Sequence, residues 1–181
     1  RSLGPWRGMG DGAVAIRFRW RFAGELGQRS GGLVHFQQHL AQQFAGRYQR
    51  ALAVIDSVER SGHALEDWSF GGGTVLTRRH HHRFSKDVDI FVPDPQYLNH
   101  LTPRLNTEAE MSTTHYIEQE GSLKLIYPEG EIDFVVAGAL TSTPVNVEIL
   151  FGGEIRVEPS VEIIAKKGWH GAPGLTAREH F

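Results

Sequence analysis

The sequence predicts an α+β domain, a mixed sheet flanked by helices. Three observations lead there. Residues 33 to 58 repeat apolar side chains every three or four positions, the signature of one long amphipathic helix. The second half of the chain is a series of short β-forming runs separated by turns that carry Gly or Pro. Helical and strand patterns interleave without an internal repeat or a low-complexity linker, which suits one domain built around one core.

Taken in order, residues 1–12, RSLGPWRGMGDG, read as a flexible leader. Val14, Ile16, Phe18, Trp20 and Phe22 then alternate with Arg17, Arg19 and Arg21, a period of two that predicts a strand with one basic face. A solvated edge strand and a nucleic-acid-binding face both fit that pattern. Gly24 to Gly32 forms a loop. The helix that follows carries Leu33, Phe36, Leu40, Phe44, Tyr48, Leu52, Ile55 and Val58 on its apolar face, is bent near Gly46, and ends at Ser61-Gly62. Its aromatic stripe reads as core.

Trp68 to Phe70 is a short strand running into Gly71-Gly72-Gly73, and Thr74 to His80 a brief helix. Val88 to Val92 is a strand stopped by Pro93, with Asp94 as the cap of a helix over Pro95 to Leu105 despite Pro103. Strands follow at Thr114 to Gln119, Leu123 to Tyr127 and Ile132 to Val136, the last two joined by the turn Pro128-Glu129-Gly130. Val145 to Phe151 and Ile155 to Val157 make a hairpin across Gly152-Gly153. Pro159-Ser160 opens a final helix through Val161, Ile164 and Ala165, with Ser160 as its candidate cap. Trp68 and Trp169 read as packing residues, and Lys166 and Lys167 taken alone as surface lysines.

Composition narrows the function classes. The 181 residues carry a net charge of −2, so no overall positive field marks the chain for nucleic acid, although a local basic patch is compatible with it. With no cysteine, disulfides and thiolate metal sites are excluded. No apolar run approaches the roughly 20 residues that a membrane span requires. The expectation is a cytoplasmic protein.

The stretch GGGTVLTRRHHHRFSKDVDIFV, residues 71 to 92, carries the chemistry. On a strand, Asp87 and Asp89 project to one face while Val88 and Ile90 point to the other. Two adjacent carboxylates resist joint ionisation unless a cation joins them, and Mg²⁺, with Mn²⁺ as a substitute, takes such oxygen ligands together with substrate phosphates. Asp133, a lone acid in GEIDFVV, offers a third carboxylate if a neighbouring antiparallel strand brings it alongside. Upstream, the glycine turn at a helix start lets backbone N–H groups approach a phosphate, with Thr74 adding a hydroxyl and Arg78, Arg79, Arg83 and Lys86 adding charge. No Gly-Lys-Ser/Thr follows, so this is not a Walker A loop. Ser85 is a turn former or a nucleotide contact. The run His80-His81-His82 cannot turn every ring toward one Zn²⁺ and reads as a basic, hydrogen-bonding loop. Acids for a metal beside glycines and cations for phosphate suit metal-assisted phosphoryl or nucleotidyl transfer.

These residues resemble a known family. Gly72-Gly73-Thr74 followed by Arg83-x-Ser85-x-Asp87-x-Asp89-Ile90-Phe91 is similar to the motif of the AbiEii/AbiGii-type (MenT-like) toxin nucleotidyltransferases, within the DNA polymerase β-like superfamily. Val75 stands where alanine is common. Pro159 to Lys167 resembles the family's P-x-E-I-L-A-x-K helix and places the functional lysine at Lys167; Thr176 to Phe181 resembles its last motif, with Arg178 kept and Glu179 in place of Asp. The resemblance covers residues 35 to 181.

What the resemblance implies is a nucleotidyltransferase fold over residues 33–181, preceded by a leader or basic edge strand over 1–32. The helical C-terminal part that such proteins usually carry has no counterpart, so the expectation is a piece of a longer protein or a weakened enzyme. It implies a toxin of a toxin–antitoxin or phage-defence system that moves nucleotides from a nucleoside triphosphate to an RNA, the tRNA 3′ end in some members, and that has a cognate antitoxin. Asp87 and Asp89 would bind Mg²⁺, Asp133 would be the third ligand or the base, Lys167 would neutralise phosphate charge, and Gly72, Gly73, Thr74, Arg83 and Ser85 would hold the nucleotide. An antibiotic- or small-molecule-modifying nucleotidyltransferase and a nucleotide-binding module without turnover are the rival readings.

Overall fold

The computed structural model describes residues 31–80, 85–150 and 153–171. The basic strand with Arg17, Arg19 and Arg21, together with His81, His82, Arg83 and the motif around Arg178, lies outside the described residues.

Helix α1 (Gly31–Arg60) runs unbroken through Gly46 and stops where Gly62 takes a left-handed φ of 89°. Strand β1 (Ser69–Gly71) leads into α2 (Gly72–His80), which starts two residues earlier than the apolar pattern predicts, inside the glycines. Strand β2 (Val88–Val92) agrees with its prediction to the residue.

The predicted helix over 95–105 is shorter. It is α3 (Gln96–Leu101), with the Gln96 N–H donating to Asp94 Oδ1 at 2.8 Å, and it ends because Thr102, preceding Pro103, is extended. A further helix, α4 (Thr107–Ser112), was not predicted. Asn106 caps it by accepting from the Ala109 N–H at 3.1 Å. Strands β3 (Tyr116–Gln119), β4 (Ser122–Tyr127), β5 (Gly130–Val136), β6 (Asn146–Leu150) and β7 (Gly153–Val157) fall where the sequence puts them, and α5 (Ser160–Gly171) follows.

Among the described residues the strands form one seven-stranded mixed sheet in the order β3-β4-β5-β2-β1-β7-β6. The pairings β3–β4, β4–β5, β1–β2 and β6–β7 are antiparallel, while β2–β5 and β1–β7 are parallel. The expected antiparallel neighbour of β2 on the Asp133 side is therefore a parallel one, reached through α3, α4 and the β3–β4 pair.

Helix α1 covers one face of the sheet at β2 and β5. Tyr48 and Phe70 meet there with ring centroids 5.2 Å apart, and Val88, Ile90, Ile132 and Phe134 are fully buried with them. Each such side chain contributes about 1.5–3 kcal/mol by leaving water, so strand parity in β2 and β5 is fixed by the core. The opposite face of these two strands carries the acids Asp89, Glu131 and Asp133, together with Phe91 and Val135.

On α5, Val161 and Ile164 are 60% and 61% exposed, and the buried face is formed by Glu162, Ile163 and Lys166. The packing reading of Trp169 is corrected. Trp169 is half exposed and does not pack into the core, whereas Trp68 does pack against it. Ser160 is the first residue of α5, and its hydroxyl meets His80 Nε2 at 2.9 Å.

Candidate active site

The polar face of the central strands is assembled by register. Because Val88 and Ile90 are buried, Asp87, Asp89 and Phe91 point the other way. In the β2–β5 ladder Asp89 is paired with Asp133, flanked by Val88 with Ile132 and Ile90 with Phe134. Paired residues in a ladder share a face, so Asp133 stands beside Asp89 on the next strand. The register thus brings the third carboxylate beside Asp89.

The turn from β1 into α2 lies against this face. Gly71 is paired with Asp89, Gly72 has a left-handed φ of 70°, and the Gly73 N–H donates to Asp89 Oδ2 at 3.2 Å. A Cβ built on Gly72 would overlap the Asp89 carboxylate, and one on Gly73 would come 3.1 Å from Ser85 Oγ. Backbone, carboxylate and serine therefore meet with no room for a side chain between them. Thr74 is buried, and its hydroxyl donates to the Asp87 carbonyl, tying helix to strand. That hydroxyl is committed to the scaffold.

A cleft of about 250 Å³ opens beside them, lined by Gly72, Gly73, Ser85, Asp87, Asp89, Phe91, Ile163, Lys166 and Lys167. The two lysines differ. Lys167 is exposed at its rim, and its charge acts on Asp89. Lys166 is buried, contrary to the surface reading, with Nζ 2.5 Å from Glu158 Oε1, 3.6 Å from Glu162 Oε1 and 4.3 Å from the centre of the Phe91 ring. Glu158 also accepts from Ser69 Oγ at 2.9 Å. Arg78 and Arg79, expected to serve phosphate, are instead turned onto Glu148 of β6, and Arg79 also donates to the Glu158 carbonyl at 2.7 Å.

Burial raises Asp89 to about 6, against the Gly73 N–H that favours its charge and with repulsion from Asp87 added. Burial likewise raises Asp133 to about 6, opposed by Lys124 and reinforced by Asp89. Lys124 and Glu131 were not singled out from the sequence. Lys124 is paired with Asp133 across the β4–β5 ladder, is ion-paired with Glu131, and lies 3.6 Å from Asp133 Oδ2. The signal in the sequence is the alternation itself: with Leu123 and Leu125 inward, Lys124 takes the side of β4 that faces away from the core.

This all-oxygen donor set suits a hard divalent cation, and Asp133 Oδ1 is buried without a hydrogen-bond partner. Among the described residues no three His, Asp or Glu side chains are drawn together as a preformed metal cage. No helix among them is long and apolar enough to cross a membrane.

The fold has known counterparts. The antibiotic-resistance factor ANT(2'')-Ia in solution superposes with a TM-score of 0.50 at 13% identity, over 74% of this chain and 77% of that one. The same factor in a crystal with adenylyl-2''-tobramycin gives 0.46 at 14% identity, over 72% and 82%. At such identity the first likeness is one of fold alone, a mixed sheet flanked by helices. No curated protein matches the chain. The sequence model of the family described as "Nucleotidyl transferase AbiEii toxin, Type IV TA system" matches residues 60–174, from the end of α1 past α5 and across every cleft residue named above. The chain belongs to the AbiEii nucleotidyltransferase toxins.

Proposed function

We propose that this enzyme is a divalent-metal-dependent toxin that transfers a nucleotide from a nucleoside triphosphate to an RNA hydroxyl, the 3′ end of tRNA being the acceptor, in the cytoplasm and under the control of a cognate antitoxin. The observation that carries the reading is the ladder register that sets Asp133 beside Asp89, next to a glycine turn and Lys167.

Asp87, Asp89 and Asp133 would hold Mg²⁺, or Mn²⁺ in its place. When bound, the ion supplies charge neutralisation and Lewis acidity at the reacting phosphate. The rest falls to the chain. The Gly72-Gly73 backbone at the start of α2 and the Ser85 hydroxyl receive the triphosphate tail, with Arg83 assigned to the same task by its place in the motif. The acceptor oxygen bonds to the α-phosphorus, the bond to pyrophosphate breaks, and the hydroxyl proton passes to a carboxylate. Asp133, raised to about 6, is suited to accept it near neutral pH when it is not engaged as a ligand. Lys167 at the cleft rim offsets the charge that builds on the departing pyrophosphate.

The test is transfer itself. The full chain, incubated with Mg²⁺ and each labelled nucleoside triphosphate, is expected to label total tRNA, and Asp87→Asn to abolish the label. Labelling of an aminoglycoside but not of RNA would move the acceptor to small molecules. Equal labelling by Asp87→Asn would overturn the enzyme mechanism.

A further inference from the structure

Resting on the metal-site reading above, a second question is what balances the acidic face before any cation arrives. Four acids project from it. Asp87 and Asp89 lie on or beside β2, and Glu131 and Asp133 alternate along β5, with Asp133 level with Asp89. The neighbouring strand β4 answers with one residue. Lys124 reaches across the ladder so that its Nζ binds Glu131 Oε2 and stands 3.6 Å from Asp133 Oδ2, and its charge also acts on Asp87 and Asp89.

The sheet fixes the face from which this side chain starts, and the ion pair with Glu131 places its ammonium. Leu123 and Leu125 on either side of it are buried in the core, so the strand cannot turn Lys124 to the other face without exposing both. It also divides the two oxygens of Asp133, with Oδ2 toward the ammonium and Oδ1 buried without a partner. The triphosphate-side groups, Gly72 and Gly73 of α2, Ser85 ahead of β2 and Lys167 of α5, line the cleft, whose lining among the described residues does not extend to β4 or β5. Lys124 is therefore a cation on the far side of the acids from the cleft.

We propose that Lys124 is the resident counter-ion of the acidic face and competes with the divalent cation for Asp133, keeping metal affinity low in the nucleotide-free enzyme. It is a positioning residue: it acts on the metal site through Asp133 and Glu131. A divalent ion entering between Asp89 and Asp133 meets the ammonium's repulsion, and removing the ammonium leaves Glu131 and Asp133 as uncompensated charges that draw the ion in.

The experiment is Mn²⁺ binding to the nucleotide-free full chain, read by electron paramagnetic resonance of the free ion. Lys124→Met and Lys124→Gln are expected to bind Mn²⁺ at least three-fold more tightly than the parent, and Lys124→Arg to match the parent. Arg60→Met, which removes the same unit of charge near the remote end of α1, should leave the affinity unchanged. Circular dichroism establishes that each variant is folded, and two neutral replacements guard against one of them misfolding. Binding that depends on Asp89 but is unchanged or weaker in folded Lys124→Met and Lys124→Gln overturns the role of Lys124 alone. Absence of binding in every variant, or binding indifferent to Asp89→Asn, overturns the metal site and this proposal with it.

Discussion

Gly72 lies so close beneath Asp89 that a Cβ on it would occupy the space of the carboxylate. Its φ of 70° adds a second constraint, because an L-residue there costs about 1–2 kcal/mol. Gly72→Ala is therefore expected to displace Asp89 and lower kcat/KM for nucleotide transfer at least 100-fold, together with a fall in melting temperature. Gly73→Ala is the comparison. Its Cβ would be 3.1 Å from Ser85 Oγ, a contact a small side-chain rotation can relieve, so its loss should be several-fold smaller. Equal effects of the two substitutions would show that the carboxylate contact is not what limits the turn.

The neighbours Lys166 and Lys167 should separate stability from activity. Lys166 is buried between Glu158 and Glu162, and deleting one partner of such a cluster leaves carboxylates without their cation, a loss of roughly 3–5 kcal/mol. Lys166→Met is thus expected to unfold at much lower urea concentration. Lys167→Ala should leave the urea midpoint unchanged while lowering turnover at least ten-fold, since Lys167 is exposed and faces the cleft. A stable Lys166→Met protein, or full turnover by Lys167→Ala, would reverse the assignments.

Glu162 offers a third prediction, about the segment that precedes β6. Its carboxylate accepts from the Leu140 and Thr141 N–H groups, each at 2.9 Å, and from Thr141 Oγ1 at 2.6 Å. Burial opposes its charge, but these donors and Lys166 outweigh it and hold the carboxyl below its ordinary range. Glu162→Gln keeps the shape and loses the charge-assisted bonds, each worth about 1.5–3 kcal/mol. Amide hydrogen exchange at Leu140 and Thr141 should then accelerate more than at the sheet amides of β5. Unchanged exchange would mean that the loop is held by something other than this carboxylate.

How far the sequence reveals all this depends on the range of each interaction. The Asp87-Asp89 pair, the glycine turn and strand β2 are local patterns, and each is readable because burial of Val88 and Ile90 dictates where the acids point. The parallel pairing of β2 with β5 is not local. It depends on α3, α4 and the β3–β4 pair carrying the chain back, and the sequence near Asp133 contains no mark of direction. Lys166 misleads for a related reason. A lysine among apolar helix residues reads as surface, and its burial is possible only because Glu158, at the end of β7, comes to meet it. Arg78 and Arg79 suggest charge for a phosphate in the sequence because Glu148, the acid that claims them, lies far along the chain.

The raised carboxyl of Asp89 makes stability depend on pH in a direction opposite to that of most surface acids. Burial, ahead of all other causes, moves it from an ordinary 3.8 to about 6. Between these values the folded state binds more protons than the unfolded one, so stability falls as pH rises through the window and remains reduced above it. In the metal-free protein, with chelator present, Asp89→Asn removes that penalty and keeps an oxygen for the Gly73 N–H. It should unfold at higher urea concentration than the parent at about pH 7.5, by roughly 1–3 kcal/mol, with the gap closing toward about pH 4 where the parent carboxyl is also neutral. An Asp89→Asn protein less stable than the parent at the higher pH would mean that the Gly73 N–H and nearby lysines favour the charge more than burial opposes it.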